Sequence, residues 1–327
     1  MKLASLNEGR DGAIVVVSND LTKAIRADRV ARTLQSALDN WAAVEPELRR
    51  LSEQLESDEI PGAIDVSDPS ILAAPLPRAL NWSDGSVYLN HMELVRKARG
   101  AEMPSSFLDD PLMYQGGSDD FQGCRAPILM LDDAWGIDFE AEVGVILDDV
   151  PMGVSEADSG QHIKLVTVIN DVSLRHVIPG ELGKGFGFYQ GKPATAFAPV
   201  VVTPDDLGAA WDGGKLIGPM HCWINGGAYG QPDCGIDMNF EFPRLIAHAA
   251  RTRNLVAGTV IGSGTISNRD RSAGSSCIAE KRMIETIEEG APKSEFLKFG
   301  DSVRIEFKTR DGHSPFGAID QVVKKAG

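Results

Sequence analysis

The sequence predicts a strand-rich α+β protein with a small N-terminal α+β domain, residues 1–76, and a larger domain, residues 77–327. Short apolar runs of strand length recur along the chain, whereas helical periodicity is clearest over residues 28–56. The 34 glycines and 18 prolines indicate many turns and irregular loops. A hydrophobic content of 43% in 327 residues is sufficient for a sizeable core.

Composition and charge exclude several classes of function. A net charge of −15 argues against binding to nucleic-acid phosphates, which requires basic stripes. No apolar run approaches the length of a membrane span. The apolar run at the start is too short for a signal peptide, and charged residues follow it too soon. The cysteines form no CxxC pair, which predicts free thiols in a cytoplasmic protein. They are Cys124, Cys222, Cys234 and Cys277.

The N-terminal elements follow from local patterns. Leu3–Leu6 and Ala13–Val17 predict a hairpin, because a turn ending in Asp-Gly separates two apolar runs. Residues 28–56 predict two helices, the first ending after Trp41 and the second starting at Pro46. The proline-broken residues 61–77 predict the connection to the larger domain.

The larger domain is predicted to be mostly strands. A helix is predicted from His91 to Arg99, and another from Pro243 to Thr252. The irregular segment 101–123 is long enough to predict a functional or mobile loop. The predicted strands are Ile128–Leu131, Asp138–Leu147, Ile163–Ile169, Val200–Val202, His221–Ile224, Asp237–Phe242, Gly258–Ser267, Val303–Phe307 and Ala318–Val323.

The strand Asp138–Leu147 carries the first chemical signal. Its period-two pattern places Glu140 and Glu142 side by side on the face opposite the apolar residues. Two adjacent carboxylates repel each other and resist burial without a counter-charge, which a hard divalent cation would supply. The alternative is a half-exposed strand whose acids face water.

The order of several motifs resembles that of the fumarylacetoacetate hydrolase family over roughly residues 80–327. The resemblance implies a large mixed β-roll catalytic domain, a homodimer, and metal-dependent chemistry on acidic keto compounds. The matching pieces are Asp84 with His91 seven residues later, Glu140-Ala141-Glu142, Asn170-Asp171 with Arg175, a glycine-rich loop ending at Lys192, and Gly264-Thr265-Ile266-Ser267.

The resemblance assigns a metal set and a catalytic pair. Mg²⁺ or Ca²⁺ would be held by four carboxylates. They are Asp84, Glu140, Glu142 and Asp171. His91 would be the general base, and Glu280 is the candidate that orients it. Read from the residues alone, His91 could instead be a capping or core histidine, and Glu280 a solvated helix residue.

The resemblance also implies substrate contacts. Lys192 would stabilise an oxyanion, and Tyr114, Arg175 and Thr265 would contact the substrate. An arginine of the preceding helix, Arg99 or alternatively Arg96, would hold a distal carboxylate as a bidentate pair. For each of these residues the alternative is a structural role, either loop cover, surface charge or strand packing.

Two departures from the family pattern put the substrate in question. Ser86 stands where fumarylacetoacetases carry tyrosine, and Ile178 stands where they carry glutamine. The expected reaction is hydrolysis of a carbon–carbon bond in a β-diketo acid, first of all fumarylacetoacetate from aromatic amino-acid catabolism. Other family reactions stay open, namely acylpyruvate hydrolysis, hydration of an unsaturated keto acid and oxaloacetate decarboxylation. A non-catalytic metal-binding protein also stays open.

Overall fold

The computed structural model describes residues 1–57, 61–98, 102 and 105–327. No helix in these parts of the chain is long and apolar enough to cross a membrane. The helices are α1 (Leu34–Leu38), α2 (Trp41–Glu56), α3 (Leu89–Ala98), α4 (Glu156–Ser159), α5 (Ile178–Leu182), α6 (Phe242–Ala249) and α7 (Ile278–Glu289).

The strands outnumber the helices, as the composition predicts. They are β1 (Lys2–Leu6), β2 (Ala13–Val17), β3 (Lys23–Arg26), β4 (Ile64–Asp65), β5 (Trp82–Gly85), β6 (Met113–Gln115), β7 (Ile128–Met130), β8 (Ile137–Asp138), β9 (Ala141–Leu147), β10 (Ile163–Asn170), β11 (Ser173–Leu174), β12 (Ala196–Phe197), β13 (Val201–Val202), β14 (Met220–Ile224), β15 (Gly227–Gly230), β16 (Val260–Gly262), β17 (Ser302–Phe307) and β18 (Ala318–Lys325). The strand-rich α+β prediction is confirmed.

One mixed sheet of 11 strands forms the centre of the molecule. Its main path runs in the order β4-β3-β2-β1-β13-β10-β9-β16-β5-β6, with β12 paired to β10. A second sheet of 5 strands has the order β15-β14-β17-β18-β7. The N-terminal strands continue the large sheet, because Lys2 of β1 pairs with Val202 of β13. The division at residues 76 and 77 stays a prediction.

Two apolar layers cover the two faces of the central sheet. On one face, α1 and α2 pack Leu34 and Leu48 against sheet residues such as Ile146. On the other face, Val143 and Val145 of β9 join a larger core with Phe307 of the second sheet. Consequently every residue of β9 is buried, and the half-exposed alternative for this strand is wrong.

The predicted period-two pattern of residues 138–147 holds, although the strand is interrupted. Phe139 and Glu140 separate β8 from β9, and the backbone N–H of Glu140 donates to Asn170 Oδ1 at 3.1 Å. β9 then lies between β10 and β16, both antiparallel to it. Glu140 and Glu142 therefore lie on the face of the strand opposite Val143 and Val145, and both side chains are buried.

Other local predictions divide into confirmed and wrong ones. The first hairpin is confirmed, with Leu6 paired to Ala13. Helix α1 ends at Leu38, and α2 starts at Trp41, whose indole is buried. Pro46 therefore lies inside α2, and its predicted position at the start of the second helix is wrong. The strand predicted at Asp237–Phe242 is wrong, because Asp237 has a positive φ of 59° and Phe242 begins α6. Helix α7 was not predicted.

Candidate metal and catalytic site

A cavity of about 690 Å³ brings most of the predicted site residues together. Its wall includes Asp84, His91, Tyr114, Glu140, Glu142, Arg175, Lys192 and Thr265. Asp171 and Glu280 lie behind this wall, and each is hydrogen-bonded to wall residues. Arg99 lies outside the described residues, as does part of the predicted loop segment 101–123. Tyr114 belongs to β6, so that segment contains a strand of the central sheet.

Three carboxylates from three elements form one buried cluster. Asp84 lies on β5, Glu142 on β9 and Asp171 directly after β10, and one oxygen from each lies within 4.8 Å of the others. β16 separates β5 from β9, and its Gly262 pairs with Asp84. A Cβ on Gly262 would lie only 2.4 Å from Asp84 Oδ1, so glycine leaves room for this carboxylate.

Glu142 is the least satisfied member of the cluster. Its side chain is fully buried, and no N–H or hydroxyl group among the described residues donates to either carboxylate oxygen. Burial and the neighbouring charge of Asp84 raise the pKa of Glu142 well above its usual range. Burial and the charge of Asp171 likewise raise the pKa of Asp84 to about 8. A hard divalent cation fits these residues, because it takes carboxylate oxygens and relieves their repulsion.

Glu140 lies beside this cluster in a contrasting environment. Burial alone would raise its pKa, but the charges of Arg175 and Lys192 hold the pKa of Glu140 well below its usual range. Its four donors are Ser173 Oγ at 2.9 Å, Arg175 Nη2 at 2.7 Å, Lys192 Nζ at 2.5 Å and Thr265 Oγ1 at 2.6 Å. Three of the four predicted metal ligands are thus grouped, whereas the fourth, Glu140, already accepts four hydrogen bonds.

Lys192 connects Glu140 to the carboxylate cluster. Its buried ammonium donates to Glu140 Oε2 and Asp171 Oδ2, each at 2.5 Å. Burial would lower the pKa of Lys192, but the charges of Asp171 and Glu140 raise it above the ordinary value. The hydroxyl of Tyr114 donates to Asp171 Oδ2 at 2.6 Å, and its ring lies 5.2 Å from Lys192 Nζ. Lys192 is therefore held as a cation at the cavity wall.

His91 and Glu280 form a pair next to Glu140. His91 Nδ1 lies 3.0 Å from Glu280 Oε2. Glu280 is only 1% exposed, so the alternative of a solvated helix glutamate is wrong. Glu280 sits in the first turn of α7, whose N-cap residue is Cys277. The Cys277 thiol also lies within 4.8 Å of His91 and Glu140, but burial raises its pKa and keeps it protonated.

Asp138 is a buried residue that positions parts of the site and that the sequence did not single out. It accepts the backbone N–H groups of Ile278 and Ala279 at 2.7 and 2.9 Å, and thereby anchors the start of α7. It also accepts Arg175 Nε at 2.8 Å, while Arg175 Nη2 holds Glu140. The only sequence signal was an acid at the start of the predicted strand. Arg175 thus positions two acids, in addition to facing the cavity.

The buried acids predict a pH dependence for the metal-free protein. The folded chain holds the proton of Asp84 up to about pH 8, whereas an unfolded chain loses it near its ordinary pKa of 3.8. Rising pH therefore favours the unfolded chain across this window. We expect the urea midpoint in the presence of a chelator to fall between about pH 6 and about pH 8. An Asp84→Asn variant should weaken this dependence; an unchanged dependence would contradict the assignment.

Two family models match the chain and together cover nearly all of it. The model described as "Fumarylacetoacetate (FAA) hydrolase C-terminal" matches residues 81–324. The model described as "Fumarylacetoacetase N-terminal domain 2" matches residues 1–78.

Similarity to an individual protein is weaker than the match to the family models and covers only part of the chain. A 2,4-didehydro-3-deoxy-L-rhamnonate hydrolase of Sphingomonas sp. (strain SKA58) is 26% identical over 159 residues, which are 48% of this chain and 53% of that protein. The match thus spans about half of that relative.

Solved structures share the fold over the whole length of both chains. A fumarylacetoacetate hydrolase from psychrophilic Exiguobacterium antarcticum has a TM-score of 0.71 at 17% identity. A maleylpyruvate hydrolase from Sphingobium sp. SYK-6, in complex with manganese(II) ion and pyruvate, has a TM-score of 0.68 at 14% identity.

Proposed function

Because this chain belongs to the fumarylacetoacetate hydrolase family, we propose that it is a metal-dependent hydrolase that breaks a carbon–carbon bond in a β-diketo acid. The observation that carries this proposal is the carboxylate of Glu142, which has no hydrogen-bond donor among the described residues and lines one cavity with His91, the partner of Glu280. A structural carboxylate would have hydrogen-bond donors, as Glu140 has. Fumarylacetoacetate is the first substrate to test. A homodimer is part of the proposal.

Asp84, Glu142 and Asp171 would hold the cation, with Glu140 next to them. Mg²⁺ or Ca²⁺ suits these all-oxygen donors, and the maleylpyruvate hydrolase with its manganese ion shares the fold. When bound, the ion supplies a Lewis acid that polarises the diketo oxygens. The acidic cluster thereby acquires the positive charge that its burial requires.

His91 is the proposed general base. Its Nδ1–H donates to the Glu280 carboxylate, which leaves Nε2 with a free lone pair for a water molecule. The water oxygen bonds to the acyl carbon while its proton passes to His91. The acyl–methylene bond then breaks, its electron pair stays with the methylene carbon as an enolate, and the proton from His91 completes that product. Lys192 is placed to donate a further N–H to the developing oxyanion.

The proposal predicts hydrolysis that requires a divalent cation. We expect rapid loss of the ultraviolet diketone absorbance of fumarylacetoacetate or of an acylpyruvate with added Mg²⁺, and no loss after a chelator. The panel should include both 3,5-diketo acids, such as fumarylacetoacetate, and 2,4-diketo acids. The second class is included because the compound in the name of the Sphingomonas relative, 2,4-didehydro-3-deoxy-L-rhamnonate, is a 2,4-diketo acid. Bound metal without turnover of any member would contradict the proposed reaction. An unsaturated keto acid and oxaloacetate in the same panel would then test the other family reactions.

A further inference from the structure

We propose that the natural substrate carries a bulky apolar acyl group on its diketo acid, bound in the part of the cavity between α3, α5 and α7. This inference rests on the proposed function and concerns the substrate end remote from the carboxylate cluster. It differs from the fumaryl group, which ends in a carboxylate.

The composition of the cavity wall carries the inference. The ionisable groups of the reaction centre include Asp84 of β5 and Glu142 of β9, which lie on either side of β16. The three helices contribute four polar residues to the wall, His91, Arg96, Arg282 and Thr286, and otherwise mainly hydrocarbon and thioether side chains. These are Met92 and Val95 of α3, Ile178 and Leu182 of α5, and Met283 of α7, while Phe296 adds a ring from the segment after α7. Thioether side chains adapt their shape to apolar ligands. Ile178 is 9% exposed and lines the same cavity as Arg175 and Lys192, so it adds buried hydrocarbon surface to this wall.

The size of the cavity supports the same conclusion. A volume of about 690 Å³ lies within the range of about 300–1,000 Å³ found for sites that bury a drug-sized ligand. A compact diketo acid would leave much of the apolar wall in contact with water. An added acyl chain would remove this surface from water, which favours binding in proportion to the apolar area buried.

Two guanidinium groups in the wall are already engaged by the protein. Arg96 lies 4.9 Å from the centre of the Phe107 ring and donates to the backbone oxygen of Glu102 at 3.1 Å. Arg282 lies 4.5 Å from the Phe296 ring centre and donates to the backbone oxygen of Ser294. Neither has a carboxylate partner in the described part of the chain, and Arg96 Nε has no hydrogen-bond partner there. A distal carboxylate is therefore the alternative that the experiment must exclude.

The test is a series of acylpyruvates on the metal-loaded full chain. The acyl groups are acetyl, butanoyl, hexanoyl and benzoyl, with succinyl as the analogue that carries a distal carboxylate. We expect kcat/KM to rise about fourfold for each buried methylene, and succinyl to fall below butanoyl, which has the same four-carbon chain. A flat series, or a preference for succinyl, would overturn the inference while leaving the proposed reaction standing. No turnover of any diketo acid would overturn both.

Variants locate the effect in the cavity. Met283→Trp should lower the ratio of kcat/KM for hexanoyl to that for acetyl by about sixteenfold, the effect of two buried methylenes. Ile178→Gln should lower the same ratio, because it places an amide in the apolar wall. Isoleucine and glutamine are similar in volume, so this variant still tests the proposal if Met283→Trp folds poorly. Met152→Trp is the control, since Met152 is 60% exposed and lies outside the cavity. An unchanged ratio in both cavity variants would contradict the proposal.

Discussion

Replacement of His91 by glutamine is expected to lower kcat/KM by about 10²–10⁴, the usual contribution of a positioned general base. The side chain lines the cavity, and its Nδ1 is held 3.0 Å from Glu280, so that its other nitrogen can accept a proton from water. The measurement is diketone hydrolysis at saturating metal, together with metal affinity. Metal affinity should stay within about threefold of wild type, because His91 is not in the carboxylate cluster.

His162→Gln is a matched control for this variant. His162 Nδ1 lies 2.7 Å from Asp148 Oδ1, so His162 also pairs with a carboxylate, in this case a half-buried one. It is not in the cavity wall, and its substitution should leave kcat/KM unchanged. Wild-type activity in His91→Gln would refute the mechanism.

Glu280 acts through His91, and a double-mutant cycle can separate this role from a structural one. Glu280→Gln should lower kcat by about 10-fold to 100-fold with a smaller change in KM, because it loses the alignment of the base. In the His91→Gln background, Glu280→Gln should lower kcat little further, since the imidazole that Glu280 positions is absent. A full additional loss in the double variant would show that Glu280 acts independently of His91.

Glu142→Gln is expected to produce two effects of opposite sign. Without metal, the variant should be more stable than wild type by about 1–3 kcal/mol, because it removes a buried carboxylate that has no donor among the residues that the structure describes. Metal affinity should fall by at least about 100-fold, since the loss of an outer-shell partner alone costs about 10-fold to 100-fold. Urea unfolding in chelator and in excess Mg²⁺, with calorimetric metal titration, measures both effects. Equal stability and equal affinity would contradict the assignment of the cluster.

Glu140→Gln provides the contrast from the same strand face. Glu140 accepts hydrogen bonds from Arg175 and Lys192, and its neutralisation leaves these cations without part of their buried charge partner. We expect the metal-free protein to lose about 3–5 kcal/mol of stability. An exposed control is Glu295→Gln, which should change neither stability nor metal affinity. If both buried variants moved stability in the same direction, the distinction between the two glutamates would be wrong.

The sequence determined the local features whose cause is local. Alternation over residues 138–147 places Glu140 and Glu142 on one face, because side chains in a strand alternate regardless of its partners. The turn before Ala13 specifies the first hairpin for the same kind of reason. The candidate residues themselves came from the order of motifs in a resemblance to a family, since spacing alone did not select Asp84 or Asp171 among 47 acids.

Tertiary structure decided how those residues differ. Glu140 and Glu142 are equivalent in the strand pattern, yet within the described part of the chain only Glu140 receives donors, and these come from residues 173, 175, 192 and 265. Strand β16 brings Asp84 to Glu142, and Asp138 fixes the helix start that brings Glu280 to His91. Such contacts join positions far apart in the chain, so they depend on strand order and helix packing, which local periodicity does not specify.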